Sequence, residues 1–295
     1  MVMDFLRSLN TFQVYENGTD NNMQSDYRYK FALPFEYIEN PKEKTIIFQQ
    51  HWYHSITISI VYFIVIKIIQ HAMKDRKPFE LRLPLFYWNG GLALFSILAL
   101  VRFSEDFFES MINRGFYKTI CYSVHPNDVA AYWCLAFAWS KVIELGDTLF
   151  IVLRKRPLIF LHYYHHAAVL IYTVHSGAEH TAPGRIFIWM NYLAHSFMYS
   201  YYAIRAYGVR IPRWISMAVT TIQTMQMLAG VAVTFIVHRI KTVYNWPCQQ
   251  SVSNLYLAFI IYFTFALLFI QFFYDTYLTK KKAAQNNKKE TKKIQ

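Results

Sequence analysis

An all-α protein that crosses a membrane with seven transmembrane helices is what this sequence predicts, on three observations. First, seven apolar stretches, residues 54–73, 84–103, 129–153, 158–175, 186–207, 214–238 and 253–278, each approach the ~20 residues that span a hydrocarbon core as a helix. Second, the chain of 295 residues is 55% hydrophobic and 19% aromatic, a composition suited to rings at membrane interfaces and around cavities. Third, the basic residues alternate by connection. Lys74, Arg76, Lys77 and Arg82 follow the first stretch, Arg154, Lys155 and Arg156 the third, Arg205, Arg210 and Arg213 the fifth, and Lys280, Lys281 and Lys282 the last. The intervening connections are acidic or nearly uncharged. Seven spans put every basic cluster on one side, the cytoplasmic one, which leaves the N-terminus lumenal.

Three parts follow: a polar lumenal segment (1–50), a seven-helix membrane domain (51–279) and a basic cytoplasmic tail (280–295). The first part lacks the apolar core of a cleavable signal peptide. It carries a glycosylation sequon at Asn17-Gly18-Thr19. Residues 107–122 are too charged to span and are expected at the interface. The tail, rich in Lys, Asn and Gln, is expected to be disordered. Its end, Lys292-Lys293-Ile294-Gln295, resembles the dilysine signal for retrieval to the endoplasmic reticulum, the alternative being an ordinary basic tail. A mean hydropathy of +0.15 is low for a polytopic protein, because loops, tail and intramembrane tyrosines dilute the spans. The formal net charge of +12 is dispersed in short clusters between apolar runs, which argues against nucleic-acid binding. Cys121, Cys134 and Cys248 have no metal-ligand spacing. Cys134 reads as a packed small residue, and the state of the other two depends on topology.

The informative residues are polar ones inside the spans. His162, His165 and His166 stand at i, i+3 and i+4 in the fourth stretch, so their imidazoles share one arc of a helix. Rings of this polarity do not face lipid without cost and mark a protein-lined cavity. Lys141, Glu144 and Asp147 follow a three-residue step near the end of the third stretch; Lys141 and Glu144 can pair, either as structural glue or as part of a site. Asn191, His195, Tyr199 and Tyr202 share a face of the fifth, and Thr220, Gln223 and Gln226 one of the sixth. Interhelical hydrogen bonding explains glutamines alone. Polar stripes on successive helices are better explained by one shared cavity. A di-iron centre needs several histidine boxes, whereas this chain has one, and His51, His54, His175, His180 and His238 fall near lumenal ends. That leaves imidazole as nucleophile, base or oxyanion stabiliser.

Lys141-x-x-Glu144-x-x-Asp147-Thr148, His162-x-x-His165-His166, His195-x-x-Met198-Tyr199-x-Tyr201-Tyr202 and Thr220-x-x-Gln223-x-x-Gln226 together resemble the successive signatures of the very-long-chain fatty acid elongases, membrane condensing enzymes of the endoplasmic reticulum. The likeness runs in order from Trp52 to Leu278. Leu158-Ile159 and Pro157 place it nearest the subgroup acting on saturated and monounsaturated chains. The resemblance implies seven helices, six of them enclosing an acyl-chain tunnel. It also implies condensation of a long-chain acyl-CoA with malonyl-CoA to 3-oxoacyl-CoA, carbon dioxide and CoA, with no metal or redox cofactor. His165 would accept the acyl group, facing His195. Asn191 with His162 or His166 would stabilise enolate and oxyanion, and Glu144 and Asp147 would orient imidazoles. Tyr199, Tyr202, Gln223, Gln226 and Lys141 would support them. Arg154, Lys155, Arg156, Arg205, Arg210 and Arg213 would meet CoA phosphates at the cytoplasmic mouth, although topology alone explains their positions. The family reading carries membrane lipid and the other enzymes of the elongation cycle as partners, and leaves a homodimer open. It also implies a bridge between Cys121 and Cys248, against two free thiols in separate loops. The rival from another class is a polytopic transporter or receptor with a polar intramembrane histidine site.

Overall fold

Every apolar stretch forms helix in the computed structural model, which describes residues 2–12, 14–15 and 22–279. The sequon at Asn17 and the whole tail, including Lys292 and Lys293, lie outside the described residues. The helices are α1 (Val2–Ser8), α2 (Pro41–His51), α3 (His54–Ala72), α4 (Arg82–Glu109), α5 (Gly115–Cys121), α6 (Val129–Glu144), α7 (Gly146–Leu153), α8 (Phe160–Ala178), α9 (Gly184–Tyr207), α10 (Arg213–Thr242) and α11 (Val252–Phe273). Among the described residues there is no strand, only an isolated parallel bridge between Gln24 and Ser123. The fold is all-helical.

The ends are written in the sequence. Pro41 begins α2, where its missing N–H is not needed. The Asp128 carboxylate accepts from the Val129 N–H at the start of α6. The Ser251 hydroxyl accepts from the Asn254 N–H at the start of α11. Gly208 ends α9 in the left-handed region (φ 110°).

Among the described residues four helices are long and apolar enough to cross a membrane: α3, α4 continued through α5 (Arg82–Cys121), α10, and α11 with its π-helical extension to Thr279. The other three expected spans are helical but fall short of that measure. The 129–153 stretch breaks at Leu145 into α6 and α7, and polar side chains lower the hydropathy of α8 and α9. Those side chains are the ones that build the site. At the break, a Cβ built on Gly146 would lie 2.7 Å from the Trp88 ring, so a glycine there lets Trp88 close on the hinge.

Within residues 107–122, α4 runs on to Glu109 and α5 follows, and Phe107, Ile120 and Cys121 join the core around Tyr262, Leu255 and Phe265. The charge at that end is neutralised internally. Asp106 accepts from Arg185 Nε at 2.6 Å, and the same guanidinium donates to the carbonyls of Thr119, Tyr122 and Ser123. Cys121 and Cys248 are bridged across 127 residues, tying α5 to the α10–α11 connection, while Cys134 is free and partly buried. A second core, Phe103, Trp133, Phe137 and Tyr192, binds α4, α6 and α9.

Candidate functional site

Polar groups removed from water must satisfy one another, and the stripes of α6 and α9 do so. Lys141 Nζ donates to both oxygens of Glu144 (2.8 and 3.0 Å) and to Asn191 Oδ1 (2.9 Å). Asn191 Nδ2 in turn lies 3.4 Å from His195 Nε2, and His195 Nδ1 lies 3.5 Å from Glu144 Oε1. Four side chains from two helices thus close a ring around one buried ion pair. An Nδ1–H tautomer of His195, donating to the carboxylate and accepting from the amide, satisfies every member. Ser140 Oγ also donates to Glu144, at 3.0 Å.

Asp147 has other partners. Its two oxygens accept from Trp88 Nε1 (2.6 Å) and from the Tyr199 hydroxyl (2.8 Å), so it holds α4 and α9 beside the hinge and bonds to no imidazole. His162 Nε2 lies 2.9 Å from Thr148 Oγ1, which lies 2.6 Å from the Tyr62 hydroxyl. Tyr62 is buried and the Thr148 hydroxyl has a single proton. The arrangement that leaves no buried proton without an acceptor runs from Tyr62 through Thr148 to His162 Nε2. It puts the His162 proton on Nδ1.

Two cavities meet here. One, about 670 Å³, is lined by His162, His165, His166 and His195 with Glu144, Asp147, Tyr199, Tyr202 and Gln223, and by Arg82, Arg154, Arg156 and Arg205. The other, about 180 Å³, is mainly apolar and includes Phe137, Val169, Tyr172, Phe265, Asn191 and Gln226. Of the four histidines of the stripes, His165 alone lines both. Its ring packs on Phe265, with centroids 4.6 Å apart, and its Nδ1 is buried without a hydrogen-bond partner. The His166 ring packs against that of His162, centroids 4.5 Å apart and planes tilted by 53°. Among the described residues no three His, Cys, Asp or Glu side chains are grouped to hold a metal ion.

The sequence-derived residues divide accordingly. The histidines, Asn191, Glu144, Lys141 and Asp147 converge, and Gln223 faces the polar cavity, where its amide reaches Met198 Sδ at 3.0 Å. Gln226 faces the apolar cavity. Of the six cations proposed for the mouth, Arg154, Arg156 and Arg205 line the polar cavity. Lys155 instead donates to the carbonyls of Lys74 and Arg76, and Arg213 to those of Thr276 and Tyr277. Arg210 is exposed and lines neither cavity. Sequence reasoning missed Tyr62 and took Arg82 only as an orienting charge. A signal for Tyr62 existed: Ser55, Ser59 and Tyr62 stand at i, i+4 and i+7 in an otherwise apolar helix, and all three are buried.

Comparison with known proteins adds an independent observation. Residues 47–285 match the family described as "ELO: GNS1/SUR4 family". The chain is 62% identical over 278 residues to a putative fatty acid elongase 4 of Caenorhabditis elegans, covering 94% of this chain and 95% of that one. It is 37% identical over 248 residues to the human very long chain fatty acid elongase 3 (84% and 91% covered). Identity to the Drosophila melanogaster very long chain fatty acid elongase 6 is 38% over 262 residues (88% and 82% covered).

Proposed function

The chain belongs to the ELO (GNS1/SUR4) family of fatty acid elongases and is a condensing enzyme of fatty acid elongation, and from that premise we propose how its residues carry the reaction. Acyl-CoA and malonyl-CoA are the substrates, which sets aside the transporter or receptor alternative. In the proposed course, a nitrogen of His165 attacks the thioester carbonyl of acyl-CoA, the C–S bond breaks and CoA leaves as the thiol. The acyl group then rests on the imidazole with its chain in the apolar cavity. Malonyl-CoA next occupies the polar cavity and loses carbon dioxide, and the resulting enolate carbon attacks the acyl carbon. The C–N bond breaks as the imidazole takes up one proton from solvent, His165 is regenerated, and 3-oxoacyl-CoA departs two carbons longer.

The observation that carries this reading is the position of His165, shared by the apolar and polar cavities and not committed to a hydrogen bond at Nδ1. The other residues take supporting roles. His162, with its Nδ1 proton set by Tyr62 and Thr148, is a donor for developing negative charge, as is the Asn191 amide. Glu144 holds His195 in one tautomer. Arg82, Arg154, Arg156 and Arg205 suit the phosphates of CoA. No metal or redox cofactor has a part in this course.

The reading extends to setting. In this proposal seven membrane spans, counting α6 and α7 as one, turn the arginine-lined cavity toward the cytoplasm and the Cys121–Cys248 bridge toward the oxidising lumen of the endoplasmic reticulum. They also put Asn17 on the side where glycosylation occurs. The other enzymes of the elongation cycle are the expected partners, since the 3-oxoacyl product must be reduced onward.

The test is condensation by the purified protein with acyl-CoA and labelled malonyl-CoA. His165→Ala is expected to remain folded and to lose at least about 100-fold in product formation. Wild type incubated with acyl-CoA alone should gain the mass of one acyl group. Near-normal turnover of the variant would exclude the covalent role.

A further inference from the structure

We propose that α2, a helix outside the spanning bundle, is the stop against which the acyl chain ends, and that Phe48 and Thr45 thereby set the chain length the enzyme accepts. The inference rests on the elongase reading and deepens it. It starts from the direction of the apolar cavity. On α8 its lining runs from His165 through Val169, Thr173 and Ser176 to Gly177, then on to His180. On the neighbouring α9 it runs the opposite way, from Asn191 to Gly184. The cavity therefore follows α8 away from the reacting imidazole toward the helix C-terminus.

Its far end is lined by the segment that precedes the first span. Ile38, Pro41, Lys44, Thr45 and Phe48 all line it, and four of these five precede residue 47, where the family match begins. α2 is fixed there from two sides. Thr45 Oγ1 lies 2.8 Å from His180 Nε2. Gln49 Nε2 donates to the carbonyls of Ala178 and Val14, each at 3.0 Å. A surface tied in this way cannot yield to a lengthening chain as a loose loop would.

The distance gives a length. From His165 to Gly177 is twelve residues of continuous helix, about 18 Å at roughly 1.5 Å per residue. An extended hydrocarbon chain with C–C bonds of about 1.5 Å advances roughly 1.3 Å per carbon. Measured along α8, that distance matches roughly 14 carbons of extended chain. Phe48 presents a ring to that end, and replacing it changes the available depth without touching the histidines.

The experiment offers the purified protein acyl-CoAs of even length from twelve to twenty-two carbons, each with malonyl-CoA. Phe48→Ala should move the preferred chain upward by about two to four carbons, raising the ratio of rates for the longer over the shorter substrate by about tenfold or more. Phe48→Trp should move it downward. An unchanged profile in variants that remain active would overturn the assignment of α2 while leaving the elongase reading intact. Absence of product from wild type across the series would sink the parent reading instead. A second measurement needs no variant: a 16-carbon acyl-CoA carrying a terminal diazirine should, on irradiation of the wild-type protein, label the peptide containing residues 41–51. Labelling confined to other segments would equally refute the proposal.

Discussion

Whether the buried ion pair of α6 holds the fold or holds the chemistry can be decided by substituting both partners at once. Lys141 and Glu144 are 3% and 5% exposed, with Nζ 2.8 Å from Oε1. At that separation and an effective dielectric of ~20 the attraction is about 6 kcal/mol, set against the desolvation of both groups. Removing one partner strands the other, at about 3–5 kcal/mol. Glu144→Gln alone and Lys141→Met alone should therefore unfold at markedly lower temperature in detergent. The double variant Lys141→Met with Glu144→Gln keeps the volumes and removes both charges, so its stability should return to within about 1–2 kcal/mol of wild type. Its activity should not return. His195 Nδ1 would lose its carboxylate and Asn191 Oδ1 its ammonium donor, and formation of 3-oxoacyl-CoA is expected to stay down by about 100-fold or more. A double variant that recovers both the melting temperature and the turnover would show the pair to be structural only.

Thr148→Val keeps the shape but removes the hydroxyl between Tyr62 and His162, and with it both of their hydrogen bonds; kcat should fall about tenfold with KM for acyl-CoA unchanged, the loss of the bond that orients the imidazole, and a rise in KM alone would refute the relay. Closing a loop of 127 residues gives the Cys121–Cys248 bridge about 5 kcal/mol in the chain-entropy account, less where the membrane already confines the chain. Reduction should lower the melting temperature of wild type and not that of a Cys121→Ser, Cys248→Ser variant; alkylation of both cysteines before reduction would show that no bridge exists. Burial pushes the Glu179 carboxyl, at the C-terminal end of α8, up to about 7 from an ordinary 4.5, against two hydrogen bonds from Ser251. A raised acid favours the folded state fully below its unfolded pKa and loses that contribution as pH rises through the folded one. Wild type should thus lose stability relative to Glu179→Gln between about pH 4.5 and 7, and a constant difference over that range would contradict it.

Local pattern made much of this legible. Helical spacing alone put His162, His165 and His166 on one arc and paired Lys141 with Glu144, because the period of a helix converts separation along the chain into a shared face. Arg154, Arg156 and Arg205 could be marked from charge alone, yet nothing in the sequence separates them from Lys155 and Arg213, whose ends turn to backbone carbonyls. Asp147 shows the same limit. The three-residue step places it with Glu144, but the helix breaks between them, and its oxygens go to Trp88 and Tyr199.

The sequence by itself determined the helices, the membrane character and which side chains could be catalytic, since each follows from the order of polar and apolar residues along one segment. Only the tertiary structure decided which partner each imidazole has and which segments line the apolar cavity. Tyr62 reaches Thr148 across 86 positions, and Thr45 reaches His180 across 135. Contacts of that separation depend on how whole helices pack, and no local periodicity encodes which two of them will meet.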